Sequence, residues 1–217
     1  MAGTKIRFSL KVTGQERKSI AAVIGEAVGD SSRYTGVPAC VYQIGGWTLD
    51  KESVLHSPEL EENEFPVVRS VLSASQAAGL QTEGFLTVTI PDMEEQAAEN
   101  LGNILKSKQQ LLKKALRSES EILLDRNTLS CFRAALDVDT VLAYLFLMAK
   151  LCDLAKTLRY ASPVERTVEN QRYAFRCFLL RLGFIGKNYK TERKILLAPL
   201  EGNTAFKNRV RIETNMM

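Results

Sequence analysis

Apolar and polar residues alternate from Ile6 to Val12 (IRFSLKV), the period-two pattern of a half-buried strand. The spacing then changes. Ile20, Val23, Ile24, Ala27 and Val28 recur at three- and four-residue intervals and predict one apolar helix face, stopped near Gly29, with Thr13 as cap and Glu16 completing a capping box. ACVYQI and WTLD, separated by Gly45-Gly46, predict a hairpin whose glycines supply positive φ angles. An acidic connector (Glu59 to Glu64) leads into a predicted helix from Phe65 to Ala78, ended by Gly79. FLTVTI (Phe85 to Ile90) then reads as a strand stopped by Pro91. Strand, helix, strand, strand, helix, strand is the split-βαβ, ferredoxin-like order. It predicts an antiparallel sheet with two helices on one face for residues 1–91.

Beyond Pro91 the pattern is mainly helical. A helix is predicted from Asp92 to Leu116, opening with Asp92, Glu94 and Glu95 and closing with Lys113, Lys114 and Arg117, as the helix dipole favours. EILLD and TLSCF around Arg126-Asn127 predict a short hairpin, followed by helices from Asp139 to Leu158, Val168 to Leu182 and Asn188 to Leu197, the last two separated at Gly183 and Gly186. The fold class is therefore α+β: an acidic ferredoxin-like unit (1–91) and a basic, mainly helical unit (92–217). In the helix from Val168, one stripe holds Phe175, Phe178, Leu179 and Leu182, and a second holds Tyr173, Cys177 and Leu180. Arg172 and Arg176 project between them. A helix apolar on two stripes is expected to be buried, so these arginines must snorkel, pair with a carboxylate or meet an anionic partner, and Arg176→Ala is expected to destabilise the protein.

At 217 residues with 45% hydrophobic content, the chain has ample material for a core in one large domain or two small ones. The net charge of +4 conceals a polarity: residues 1–104 hold 8 Lys+Arg against 14 Asp+Glu, net −6, and residues 105–217 hold 21 against 11, net +10. A basic half points to an anionic partner, or to attraction between the halves or between copies of the chain. No apolar run approaches the ~20 residues of a membrane span, and MAGTKIRFSLKV lacks the apolar core of a secretory signal. Cys40, Cys131, Cys152 and Cys177 are widely spaced among apolar residues and read as reduced core thiols of a cytosolic protein.

Candidate chemistry is sparse. His56, the one histidine, sits in a polar connector; alone it cannot build a histidine-rich metal site, and a nucleophile triad needs partners that sequence does not place. Gly183 to Lys187 has part of a phosphate loop, but not its full spacing, and Asn188 stands where Ser or Thr would bind magnesium. A metal-dependent nuclease would draw on Asp137 and Asp139, joined by Asp125 or Asp153, although Asp139 is better explained as a helix cap. Basic residues are the stronger lead. Lys187, Lys190 and Lys194 share a helix face, with Tyr189 and Leu196 opposite. Together with Lys106, Lys113, Lys114, Arg117, Arg172, Arg176, Arg193, Lys207, Arg209 and Arg211 they suit a surface that tracks phosphates without reading sequence. Tyr34, Tyr42 and Trp47 are candidates for base stacking, with core or turn packing the plainer reading for Trp47.

Four regions resemble a known family. YAFRCFLLRLGFIG, YKTERKILL and GNTAFK in Arg172 to Lys207, KIRFSLKVTGQERKSIAAVIGE (Lys5 to Glu26) with YTGVPACVYQIGGWTLDK (Tyr34 to Lys51), and ENLGNILKSKQQLLKKAL (Glu99 to Leu116) are similar to the virulence-related proteins carried by conjugative elements and phages of Firmicutes. Some proteins related to that family act as anti-CRISPR factors against type II effector nucleases. The resemblance implies a mobile-element protein working in the bacterial cytoplasm, with the effector or its guide RNA as partner, no cofactor and no catalytic motif to carry over. Two other classes stay open from the residues: a metal-dependent RNA-trimming nuclease, and a structural or homo-oligomeric accessory protein.

Overall fold

The computed structural model describes residues 3–91, 93–119, 121–125, 127–135 and 137–204, with 84, 85 and 130–135 described by backbone alone. Asp92, Arg126, Lys207, Arg209, Arg211 and the Cys131 side chain, all used in the sequence reading, lie outside these.

The fold is mixed α+β, with one antiparallel sheet and seven α-helices among the described residues. Strands β1 (Arg7–Thr13), β2 (Ser32–Tyr34), β3 (Tyr42–Ile44), β4 (Trp47–Leu49), β5 (Val54–His56), β6 (Gln81–Thr89), β7 (Leu124–Asp125) and β8 (Thr128–Ala135) lie in the order β2-β3-β4-β5-β1-β6-β8-β7. Helices α1 (Arg17–Val28) and α2 (Phe65–Ala77) belong to the first part of the chain. Helices α3 (Glu95–Ser107), α4 (Gln109–Ala115), α5 (Val138–Thr157), α6 (Gln171–Arg181) and α7 (Lys190–Leu197) belong to the second. Alternation places Phe8, Leu10 and Val12 of β1 in the core with Leu86 and Val88 of β6, while Arg7, Ser9, Lys11, Thr87 and Thr89 face the other way.

α5 is the hub of the helical layer. It is apolar almost all round, as a helix buried on every side must be, and packs against α2, α3, α7 and β6. One core therefore runs across position 91, and β8 pairs with β6 along Thr87↔Ser130 and Val88↔Leu129. Polar clamps reinforce the junction. Lys150 Nζ of α5 lies 3.0 Å from Glu62 Oε2 and 4.6 Å from the centre of the Tyr189 ring, and the Tyr189 hydroxyl donates to Glu62. Thr4 donates to Asp153 Oδ1 from both its amide, at 3.0 Å, and its hydroxyl, at 2.6 Å.

Several sequence expectations need correction. β1 extends through Thr13, which pairs with Gln81, so α1 is capped at Glu16 and not at Thr13. Of the hairpin glycines only Gly45 has a positive φ, 54°; a Cβ at Gly46 would meet the Pro58 side chain at 3.0 Å, closer than ordinary van der Waals contact. β2 and β5, three residues each, are too short to show a period, and β5 contains His56, which is thus a strand residue and not part of a connector. The helix from Asp92 to Leu116 is two helices that part at Lys108, where φ is −125°. The second stripe of α6 is not buried: Cys177 and Leu180 are exposed and Tyr173 is half-buried, and Arg176 between the stripes is exposed too. Cys152 is buried as expected, but Cys40 is half-buried and Cys177 exposed, so only Cys152 is a core thiol among the described side chains.

Candidate functional site

The basic residues belong to one helical layer, since α7 packs against both α4 and α6. Within it they divide by environment. Lys187, Lys190 and Lys194 are exposed, as are Lys106, Arg117 and Arg176, and among the described residues no carboxylate lies within ion-pairing distance of any of the six. Tyr189 is half-buried and Leu196 buried on the other side of α7, which fixes the lysine face outward.

The remaining candidates have structural work. Arg193 donates from Nη1 to the carbonyls of Phe184 and Gly186, each at 2.9 Å, and so closes the turn between α6 and α7. Arg172 reaches the Ala198 carbonyl at 3.3 Å, and its Nε is buried with no partner among the described residues. Lys114 donates to Gln171 Oε1 at 2.9 Å and Glu201 Oε1 at 3.2 Å, and Lys113 is half-buried.

Sequence reading missed a further cationic group. Lys108 sits half-buried at the break between α3 and α4, its Nζ 5.7 Å from the centre of the Phe178 ring. Burial lowers the pKa of its ammonium, and the positive charges of Arg166 and Arg181 lower it further, against the opposing Glu165. The field here is positive. No periodicity marks Arg166, which lies in irregular chain, so only folding brings it to Lys108.

Three of the four carboxylates proposed for metal chemistry are otherwise engaged. Asp137, and not Asp139, caps α5: its Oδ1 accepts from the Thr140 amide at 2.8 Å and its Oδ2 from the Thr140 hydroxyl at 2.6 Å. Asp139 pairs with Arg69 of α2 at 2.7 Å, Asp153 accepts from Thr4, and Asp125 is exposed on β7. Among the described residues no group of three or more His, Cys, Asp or Glu is placed to hold a metal ion.

The sheet face turned away from the helices is polar. Directly paired residues point to the same face, so the registers Arg33↔Gln43, Gln43↔Thr48, Thr48↔His56, His56↔Ser9 and Ser9↔Thr87 set one polar row across six strands. In that row Ser9 Oγ lies 3.1 Å from His56 Nδ1, and His56 Nε2 lies 3.2 Å from Asp50 Oδ2. Asp50 Oδ1 accepts from the amides of Glu52 and Val54, both at 2.8 Å. Burial alone would raise the Asp50 carboxyl, but the hydrogen bonds from Val54, His56 and Glu52 outweigh it and hold the group below the ordinary aspartate range. A cleft of about 700 Å³ opens over this row, lined by Arg7, Ser9, Thr48, His56, Glu59 and Thr89 among others. The aromatic candidates are elsewhere: Trp47 is buried edge-on to Phe8, and the Tyr34 and Tyr42 rings meet at a 44° tilt with Arg17 of α1 over the Tyr42 ring.

No protein-family profile matches the chain, and no curated protein matches it. No helix among the described residues is long and apolar enough to cross a membrane.

Proposed function

We propose that this is a protein of a mobile genetic element that counters host defence by binding, rather than cleaving, a type II CRISPR effector nuclease or its guide RNA. The observation that carries the reading is the exposed lysine face of Lys187, Lys190 and Lys194, with its cations free of carboxylate partners among the described residues and set in a half of the chain with net charge +10. Cations without protein partners are those that release counterions when they meet phosphate. The resemblance to virulence-related proteins of conjugative elements and phages supplies the target class and the bacterial cytoplasm as the place of action. The ferredoxin-like unit read from sequence is kept in this proposal with one change of strands: the hairpin beside β1 is β4–β5 and not the β3–β4 pair, so that β1, α1, β4, β5, α2 and β6 have the sheet order β6-β1-β5-β4, with β2 and β3 as an insertion after α1.

The test is incubation of the purified protein with a type II effector and labelled guide RNA, with and without magnesium, reading complex formation and guide length on the same samples. A stable new complex with intact guide is expected. The triple variant Lys187→Glu, Lys190→Glu, Lys194→Glu should keep its fold, weaken binding and flatten its salt dependence, by about 0.9 per lost phosphate contact in log–log slope on duplex and about 0.7 on single strands. A guide shortened in magnesium would instead make the protein a nuclease. Unchanged affinity in the triple variant would leave the face merely solvated.

A further inference from the structure

We propose that Ser9, His56 and Asp50 form a hydrolytic site on the open face of the sheet, in which Ser9 is the nucleophile toward small polar carboxylic esters. The proposal does not depend on the basic helical face. Its basis is a continuous chain of three side chains from three places in the sequence: Ser9 on β1, His56 on β5, and Asp50 just after β4. An ionised Asp50 can only accept, so His56 Nε2 carries the ring proton, and Nδ1 turns its lone pair to the Ser9 hydroxyl at 3.1 Å. That separation is within the range at which a base takes up a proton. Asp50 is in turn fixed by two backbone amides, so the imidazole is held by a rigid anchor.

Access and surroundings agree. The His56 side chain is 44% exposed, and the cleft of about 700 Å³ above it has the size of a small-molecule site. Its rim is polar and carries the Arg7–Glu59 ion pair at 2.6 Å. Thr87 stands directly across from Ser9 on β6, on the same face of the sheet. The register of β1 on β6 also shifts between Ser9 and Lys11, and that of β6 on β8 shifts between Glu83 and Phe85; such irregularities re-aim strand side chains beside sites.

In the reaction, Ser9 Oγ bonds to the carbonyl carbon while its proton passes to His56 Nδ1. The tetrahedral oxyanion collapses, the ester C–O bond breaks, and the leaving alkoxide takes the proton from Nδ1. Water, activated by the same nitrogen, then cleaves the acyl-serine, releasing the acid and restoring Ser9. Asp50 is a positioning residue.

The experiment uses the full chain with a fluorophosphonate reagent and with p-nitrophenyl acetate. One adduct mapped by mass spectrometry to Ser9 is expected, lost in Ser9→Ala, with labelling slowed at least about 100-fold in His56→Gln. Asp50→Asn should slow labelling and lower kcat on p-nitrophenyl acetate with KM unchanged, because the imidazole loses the carboxylate that orients it through Nε2, and Asp50→Glu should restore part of the rate; Arg7 and Glu59, the other charges on the cleft, stay paired. Ser9 and His56 are partly exposed, so their variants should melt with wild type. The triple lysine variant should label normally, which separates this site from the binding face. No adduct on Ser9 above that in Ser9→Ala, or equal labelling of His56→Gln and wild type, would overturn the proposal.

Discussion

One guanidinium nitrogen of Arg193 reaches two backbone carbonyls, those of Phe184 and Gly186, and no other residue type delivers a rigid donor across that span. Arg193→Ala leaves both carbonyls without this donor and is expected to cost about 1–3 kcal/mol in denaturant unfolding. Arg176, one turn from the end of α6, should behave oppositely. It is exposed, so Arg176→Ala is expected to leave the melting temperature unchanged, contrary to the expectation from its flanking stripes. The cysteines divide by the same criterion. Burial pushes the Cys152 thiol up to about 12, so it should resist alkylation in the native protein at pH 8, while exposed Cys177 reacts; mass spectrometry after a short iodoacetamide pulse reads both.

At the scale of elements, the informative places are where helices begin, break and meet. Nothing in ILKSKQQLL signals a stop, yet α3 ends at Ser107. Past the break, the Gln110 amide donates to Glu165 at 2.8 Å and the Gln109 side chain bonds the backbone of Ile122. Asn100, fully buried on α3, donates to the carbonyls of Ala155 and Leu158 and accepts from the Ala161 amide, which fastens α3 to the end of α5. Asn100→Ala strands these groups and should cost more than about 2 kcal/mol, measured as a lowered denaturation midpoint. The Lys150 cluster makes a pH prediction. Burial would lower its ammonium, but Glu62 and Tyr189 outweigh that and raise it. A raised folded pKa means stability that is full below the ordinary lysine value and lost as pH rises through the folded one. Wild type should therefore lose more stability than Lys150→Met in an alkaline melting series.

For the whole molecule, the decisive fact is that the sheet does not end where the helical pattern begins. β8 completes the edge of β6, and α5 packs on α2. A fragment of residues 1–91 is expected to fail to fold alone, since it would expose the β6 edge and the apolar surface under α5; poor amide dispersion in its NMR spectrum would show this, and a cooperative melt would refute it. What the chain itself determined is what local spacing and backbone chemistry encode: period two fixed β1 and β6, the three- and four-residue spacing fixed α1 and the outward face of α7, apolar runs between Gly, Pro and acidic stops marked α2 and α5, the Gly45-Gly46 turn placed a hairpin, and charge counting marked the basic half. Only tertiary structure decided the rest, because it depends on partners far apart in sequence. It made three-residue β2 and β5 into strands by giving them neighbours, broke the helix at Lys108, turned Asp137 and Asp139 to capping and pairing, and gathered Arg166 and Arg181 about Lys108. It also set Ser9 and Asp50 on either side of the one histidine, across strands whose register no local period specifies.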